Sequence, residues 1–140
     1  MIKAKVFCIG FHKTGTTSLK FAMNKMGYRV AGPNGVRDEN IASNVFDMVS
    51  GLVPKFDAFQ DNPYPVIYQY LDESYPDSKF ILTRRDDESW LNSVVRHFAK
   101  IDSPMRRWIY GVGYPIGNEQ IYLARYQQHN HDVKEYFVDR

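Results

Sequence analysis

Apolar and polar positions change period several times along the chain, and each change marks an element. Val6-Phe-Cys-Ile-Gly10 is a short apolar run closed by glycine, the pattern of a buried strand, and Met1 to Lys5 read as its lead-in. After a small-polar loop over Phe11–Thr17, apolar residues return at helical spacing at Leu19, Ala22, Met23 and Met26, and Gly27 is placed to stop that helix. Tyr28–Ala31 predicts a second strand and Gly32-Pro-Asn-Gly35 a turn. Ile41, Val45, Met48, Val49 and Leu52 predict a helix running to Pro54, and Asp57–Gln60 a third strand. Asn62 and Pro63 suit an N-cap and a first helical position, which predicts a helix carrying Val66, Ile67, Tyr70 and Leu71 inward and ending before Pro76.

Lys79–Thr83 reads as a fourth strand. Asp86, Asp87 and Glu88 suit the start of the helix that follows, whose apolar face is Leu91, Val94, Val95 and Phe98. Glycines and prolines between Ser103 and Gly117 predict a loop-rich stretch with a short helix over Met105–Tyr110. Asn118 is placed to cap a last helix with Tyr122, Tyr126, His129, Val133 and Tyr136 on one stripe. Strands alternating with helices predict an α/β fold: a three-layer sandwich with a short central parallel sheet and a P-loop-like strand-loop-helix at its start. The 140 residues fit one domain. The pattern stops at Asp139-Arg140, straight after a helix, where an α/β pattern usually returns to the sheet; either C-terminal elements are missing or this is a short form with a minimal site.

Composition narrows the function classes. Hydrophobic residues are 44% and charged residues 24%, globular values that exclude disorder and collagen. No apolar run reaches about eighteen residues, so no membrane-spanning helix is expected. The single cysteine, Cys8, excludes an internal disulfide framework and a cysteine-based zinc site, and a reducing cytoplasm is the simplest compartment. A net charge of +2 is too mild to argue for nucleic acid. Any bound anion must be held by local geometry.

Gly10-Phe-His-Lys-Thr-Gly-Thr-Thr-Ser18 supplies that geometry. Between a strand and a helix, the first amides of the helix are unpaired and the positive end of its dipole adds to them. Gly15 lets the backbone curl around a phosphate; Thr14, Thr16, Thr17 and Ser18 offer hydroxyls; Lys13 offers a mobile charge. It is not a Walker A loop, in which lysine directly follows the second glycine. Here the lysine precedes Gly15, and no convincing second acid stands at a strand end to hold magnesium, which fits a phosphate loop that works without a metal. Arg85, at the end of the fourth strand, stands where open α/β sheets bind ligands and can grip a phosphate with its planar fork. Ser93 shares the polar side of the next helix with Ser89, Arg96 and Lys100.

These two motifs together resemble the sulfotransferase family, well over residues 5 to about 98 and loosely beyond, and most of all a divergent subgroup of it. Lys13, Thr14, Gly15, Thr16 and Thr17 match its 5′-phosphosulfate loop, and Arg85 with Ser93 matches the Arg…Ser pair that holds the 3′-phosphate of 3′-phosphoadenosine 5′-phosphosulfate (PAPS). The resemblance implies transfer of a sulfuryl group from that co-substrate to a hydroxyl or amine acceptor, with Ser18 completing the nucleotide site and Lys13 neutralising charge on the leaving oxygen. In the cytosolic branch of the family a histidine base stands two residues before a proline; here Asp61 holds that place, while other branches use a carboxylate. Beside a helix N-terminus Asp61 would stay ionised and weakly basic. His12, next to Lys13, is the other candidate base.

Family members usually continue with another strand and an Arg-Lys-Gly run that contacts adenosine and the 3′-phosphate, and no such run occurs here. Phe59, Tyr64, Tyr68, Tyr70, Trp108, Tyr110 and Tyr114 could line an acceptor pocket or fill the core. His129 and His131 fall on different faces of their helix, which favours a solvated helix with His129 partly buried over a metal site; Cys8 reads as core. Two other readings stay open: a kinase with a divergent P-loop, and a non-catalytic nucleotide-binding remnant.

Overall fold

A parallel sheet of four short strands organises the molecule, seen here in a computed structural model that describes residues 4–139. The start of the expected lead-in, residues 1–3, and the terminal Arg140 lie outside the described residues. The strands are β1 (Val6–Cys8), β2 (Val30–Ala31), β3 (Ala58–Phe59) and β4 (Lys79–Ile81), in the order β2-β3-β1-β4. Val6 pairs with Ala58 on one side and Lys79 on the other, so β1 is central, and its three residues are buried on both faces as an interior parallel strand requires. The helices are α1 (Thr16–Lys25), α2 (Ile41–Leu52), α3 (Tyr68–Ser74), α4 (Asp87–Phe98), α5 (Pro104–Tyr110) and α6 (Glu119–Phe137). A single 3₁₀ turn, Val53–Lys55, follows α2.

Strand alternation divides the core. Phe7, Ile9 and Phe59 point to one face, where they join buried residues of α2 to α6. Val6, Cys8 and Ala58 point to the other, where Met23 of α1 covers them. The result is the expected α/β three-layer arrangement, with one helix layer much thinner than the other. The thin layer explains a departure from the helical pattern. Met23 is buried and Leu19 half-buried, but Ala22 faces solvent and Met26 is 65% exposed, because the narrow strip beneath α1 accommodates only one row of side chains.

The strands are shorter than the apolar runs suggested. Arg29 lies below β2 rather than in it, and its guanidinium and amide both bind Asp57. The larger correction concerns the third helix. It does not start at Asn62-Pro63; that peptide is cis, and residues 63–67 form successive turns with Val66 N–H on Pro63 O and Ile67 N–H on Tyr64 O. Pro65 disfavours helical backbone at Tyr64, and the regular ladder begins only where Leu71 N–H reaches Ile67 O. The stripe on α6 is as expected, with Tyr122, Tyr126, His129 and Val133 buried, although His129 is 2% exposed rather than partly buried. Asn118 occupies the N-cap position of α6, but its amide donates to Tyr114 O and caps nothing.

Candidate functional site

The loop after β1 is shaped by a close approach. A β-carbon on Gly10 would lie 2.0 Å from Thr83 Oγ1 and 2.4 Å from Thr83 O, so only glycine lets the ends of β1 and β4 meet here. Lys13 then adopts left-handed backbone (φ 64°), and Gly15 does the same (φ 94°) as the N-cap of α1. The first helical bond runs from Leu19 N–H to Gly15 O, so the amides of Thr16, Thr17 and Ser18 precede the ladder. No side chain caps them and no acid lies in the first turn. Such a helix start, with the positive end of its dipole behind it, has the chemistry to receive an anion.

The hydroxyls divide by role. Thr14 is buried; its Oγ1 donates to Phe11 O at 2.5 Å and lies 2.7 Å from Thr83 Oγ1. With its proton committed to Phe11, Thr14 accepts from Thr83 and ties the loop to the end of β4. Thr16 is buried at the pocket wall, while Thr17 and Ser18 are exposed at the helix start.

Arg85 follows β4 with its side chain exposed, and its Nη1 lies 3.5 Å from Lys13 O. The fold therefore brings the two separate motifs side by side. Asp86 caps α4 by accepting from Ser89 N–H at 3.0 Å, which places Arg85 just outside the helix. Ser93 is half-buried in the second turn of α4, and among the described residues no hydrogen bond ties it to Arg85 or the loop.

His12 is buried with both ring nitrogens engaged. Asn62 Nδ2 lies 3.1 Å from Nδ1 and Tyr110 Oη 2.8 Å from Nε2. Burial first, then the charges of Arg106, Lys13 and His97, push its pKa down to about 3, so the ring is neutral. Asp61 stands opposite the loop in left-handed backbone (φ 66°), half-buried, with Oδ1 accepting from Asn62 N–H at 2.7 Å. Burial raises its pKa, against smaller opposing effects from that N–H, Lys13 and Lys20. This reverses the expectation of a weak base at a helix N-terminus, because no helix starts at Asn62 and the carboxyl lies in a pocket wall instead.

That pocket has a volume of about 380 Å³. Lys13, Thr16 and Thr17 line it from the loop, with Asp61 and Asn62 beside them; Pro33, Val36, Phe98 and Met105 form an apolar wall. Arg106 closes it. Its guanidinium donates to Gly113 O and Ile101 O and lies 4.0 Å over the Phe98 ring. The aromatic residues considered for an acceptor pocket do not line it: Phe59, Tyr64, Tyr68 and Tyr110 are core. Sequence reasoning missed Arg106, Trp90 and Tyr126. The Arg106-Arg107 pair between Met105 and Trp108 was the available signal for the first; nothing in the spacing marked the other two.

The remaining candidates for chemistry are structural. His129 sits against Ile9 O and His131 is exposed on another face, and among the described residues no group of three His, Cys, Asp or Glu could hold a metal ion. Burial pushes the Cys8 thiol up to about 11. No helix among the described residues is long and apolar enough to cross a membrane.

A family model described as a sulfotransferase domain matches residues 5–118. The chain is also similar to a curated protein from Aspergillus versicolor named Ava biosynthesis cluster protein M, with 30% identity over 74% of this chain and 46% of that protein. The chain thus spans about half the length of that relative. Everything from β1 to α5 falls inside the family match, including the loop from Lys13 to Ser18, Asp61, Arg85 and the pocket wall. The chain belongs to the sulfotransferase-domain family.

Proposed function

We propose that this protein transfers a sulfuryl group from 3′-phosphoadenosine 5′-phosphosulfate to a hydroxyl or amine acceptor, without a metal. One observation carries the reading: an uncapped helix start with a lysine, Lys13, opens into the same pocket as a carboxylate whose pKa is raised, Asp61. The residues present fit the co-substrate, since the free amides of Thr16 to Ser18 suit its 5′-phosphate and Arg85 beside the loop suits its 3′-phosphate.

The co-substrate supplies an activated sulfur whose leaving group is a phosphate oxygen. Gly15, Thr16, Thr17 and Ser18 hold the 5′-phosphate, with Thr14 as the loop's internal tie. Arg85 and Ser93 hold the 3′-phosphate. Asp61 takes the proton from the acceptor oxygen as that oxygen bonds to sulfur, and the electron pair of the breaking S–O bond stays on the leaving phosphate oxygen, where Lys13 meets the growing charge. Burial makes Asp61 a stronger base than a solvated carboxylate, and Lys13 with Lys20 helps keep it ionised. His12, neutral and held between Asn62 and Tyr110, positions the wall that carries Asp61 rather than receiving the proton.

The test is binding in EDTA. 3′-Phosphoadenosine 5′-phosphate at a hundred times its Kd raises stability by about 2.7 kcal/mol. No thermal shift with that ligand at millimolar concentration, or a response to ATP that requires magnesium, removes the reading.

A further inference from the structure

Helix α6 lies beyond the segment that matches the family, yet it holds both halves of the nucleotide site. Tyr126 Oη accepts from Arg85 N–H at 2.9 Å and donates to Arg85 O at 2.8 Å, so one hydroxyl clamps the backbone of the phosphate-site arginine in two directions. The Tyr126 ring stacks on Trp90 with centroids 4.0 Å apart and planes 6° from parallel. Trp90 in turn donates its indole N–H to His12 O at 3.0 Å, inside the phosphate loop. One turn further along α6, His129 lies 2.7 Å from Ile9 O and stacks on Phe11 at 4.3 Å, where the loop leaves β1. Tyr126, Trp90 and His129 are each essentially buried, so they have one arrangement to offer.

We infer that Tyr126 is a positioning residue: by fixing the Arg85 backbone it aims an otherwise exposed guanidinium, and so sets the preference for nucleotides that carry a 3′-phosphate. The Arg85 side chain is exposed. Its order comes from the clamp behind it and from the 3.5 Å approach of Nη1 to Lys13 O. The stack makes the clamp rigid, because moving Tyr126 requires moving Trp90, which holds the loop. This inference rests on the nucleotide assignment above.

The experiment titrates the full chain, wild type and Tyr126→Phe, with 3′-phosphoadenosine 5′-phosphate and with 5′-AMP. Phenylalanine keeps the ring on Trp90 and removes only the hydroxyl. The wild type prefers the 3′-phosphorylated nucleotide; the variant loses roughly tenfold in affinity for it, while its affinity for 5′-AMP moves by less than about twofold. A merely structural tyrosine weakens both ligands together, and that result, or no change in either, overturns the inference while leaving the nucleotide assignment standing. A wild-type protein with no preference between the two ligands overturns the assignment itself. Should the variant fold poorly, hydrogen exchange on the wild type decides. An Arg85 amide as slow as the core amides supports the clamp, and one that exchanges like an exposed loop overturns it.

Discussion

Lys13 and Asp61 line one pocket from two different loops, and both are held in left-handed backbone, with φ of 64° and 66°. Neither is glycine, so each conformation costs on the order of 1–3 kcal/mol that the surrounding fold must offset. Among the described residues only Asp77 and Ala99 also have positive φ without being glycine. Two of four such residues thus face the pocket proposed for chemistry, as expected where geometry is kept for function.

Asp61 links activity to stability. Its folded pKa is raised, so the folded state favours the protonated form; the associated stabilisation is present below the ordinary carboxylate range and is lost as pH rises through the folded value. At neutral pH Asp61→Asn therefore unfolds at a higher temperature than wild type. The same change lowers turnover by about a hundredfold or more, as expected for loss of a general base, and leaves nucleotide affinity unchanged. In the wild type, kcat/KM climbs with pH through the raised pKa, and this acid limb is absent from the variant. Calorimetry and a pH–rate profile check both halves.

His12 works in the opposite direction. Its folded pKa is near 3 against 6.5 unfolded, so its contribution to stability is complete above pH 6.5 and declines as pH falls towards 3. His129, lowered to about 4 with burial as the main cause, adds to the same window. Denaturant titrations across this range show stability rising with pH, and His12→Gln flattens the slope. An imidazole signal for His12 that titrates near 6.5 in the folded protein contradicts this.

Arg85→Ala costs about 1.5–3 kcal/mol in binding the 3′-phosphorylated nucleotide, the range for a hydrogen bond to a charged group, and little for 5′-AMP. Titration calorimetry with both ligands separates the two. Equal losses make Arg85 a structural residue.

Gly10→Ala destabilises the fold by about 3 kcal/mol, since the new methyl meets Thr83 backbone that cannot move without breaking the β1–β4 pairing. A denaturant midpoint equal to wild type contradicts the close approach described here.

Much of this was legible in the sequence because local pattern and tertiary role agreed. The Val6–Gly10 run, the turn at Gly15 and the α6 stripe from Tyr122 to Val133 each carry one periodicity, and each folds accordingly. The segment after Asp61 failed because Asn-Pro is as good a turn as it is a helix start, and only the second proline at position 65 decides between them. The surroundings of Asp61 and His12 were illegible for a different reason. Burial is the main cause of both pKa shifts, and for His12 the charges of Arg106 and His97 add to it, residues far away in sequence whose approach no spacing rule encodes. The clamp on Arg85 belongs to the same class, since Tyr126 lies 41 residues away and reads as core, which it also is.

In the proposed metal-free sulfuryl transfer, Lys13 stabilises charge on the leaving oxygen. The direct measurement is the rate of 3′-phosphoadenosine 5′-phosphate release from saturating PAPS, in EDTA, with phenol, alcohol, sugar and amine acceptors, for wild type and Lys13→Ala. Wild type turns over with at least one acceptor, and the variant is about a hundredfold to a thousandfold slower at saturation while the backbone cradle keeps most of its affinity. A wild-type protein that binds the nucleotide but releases no product with any acceptor, or a variant that matches the wild-type rate at saturation, contradicts the account.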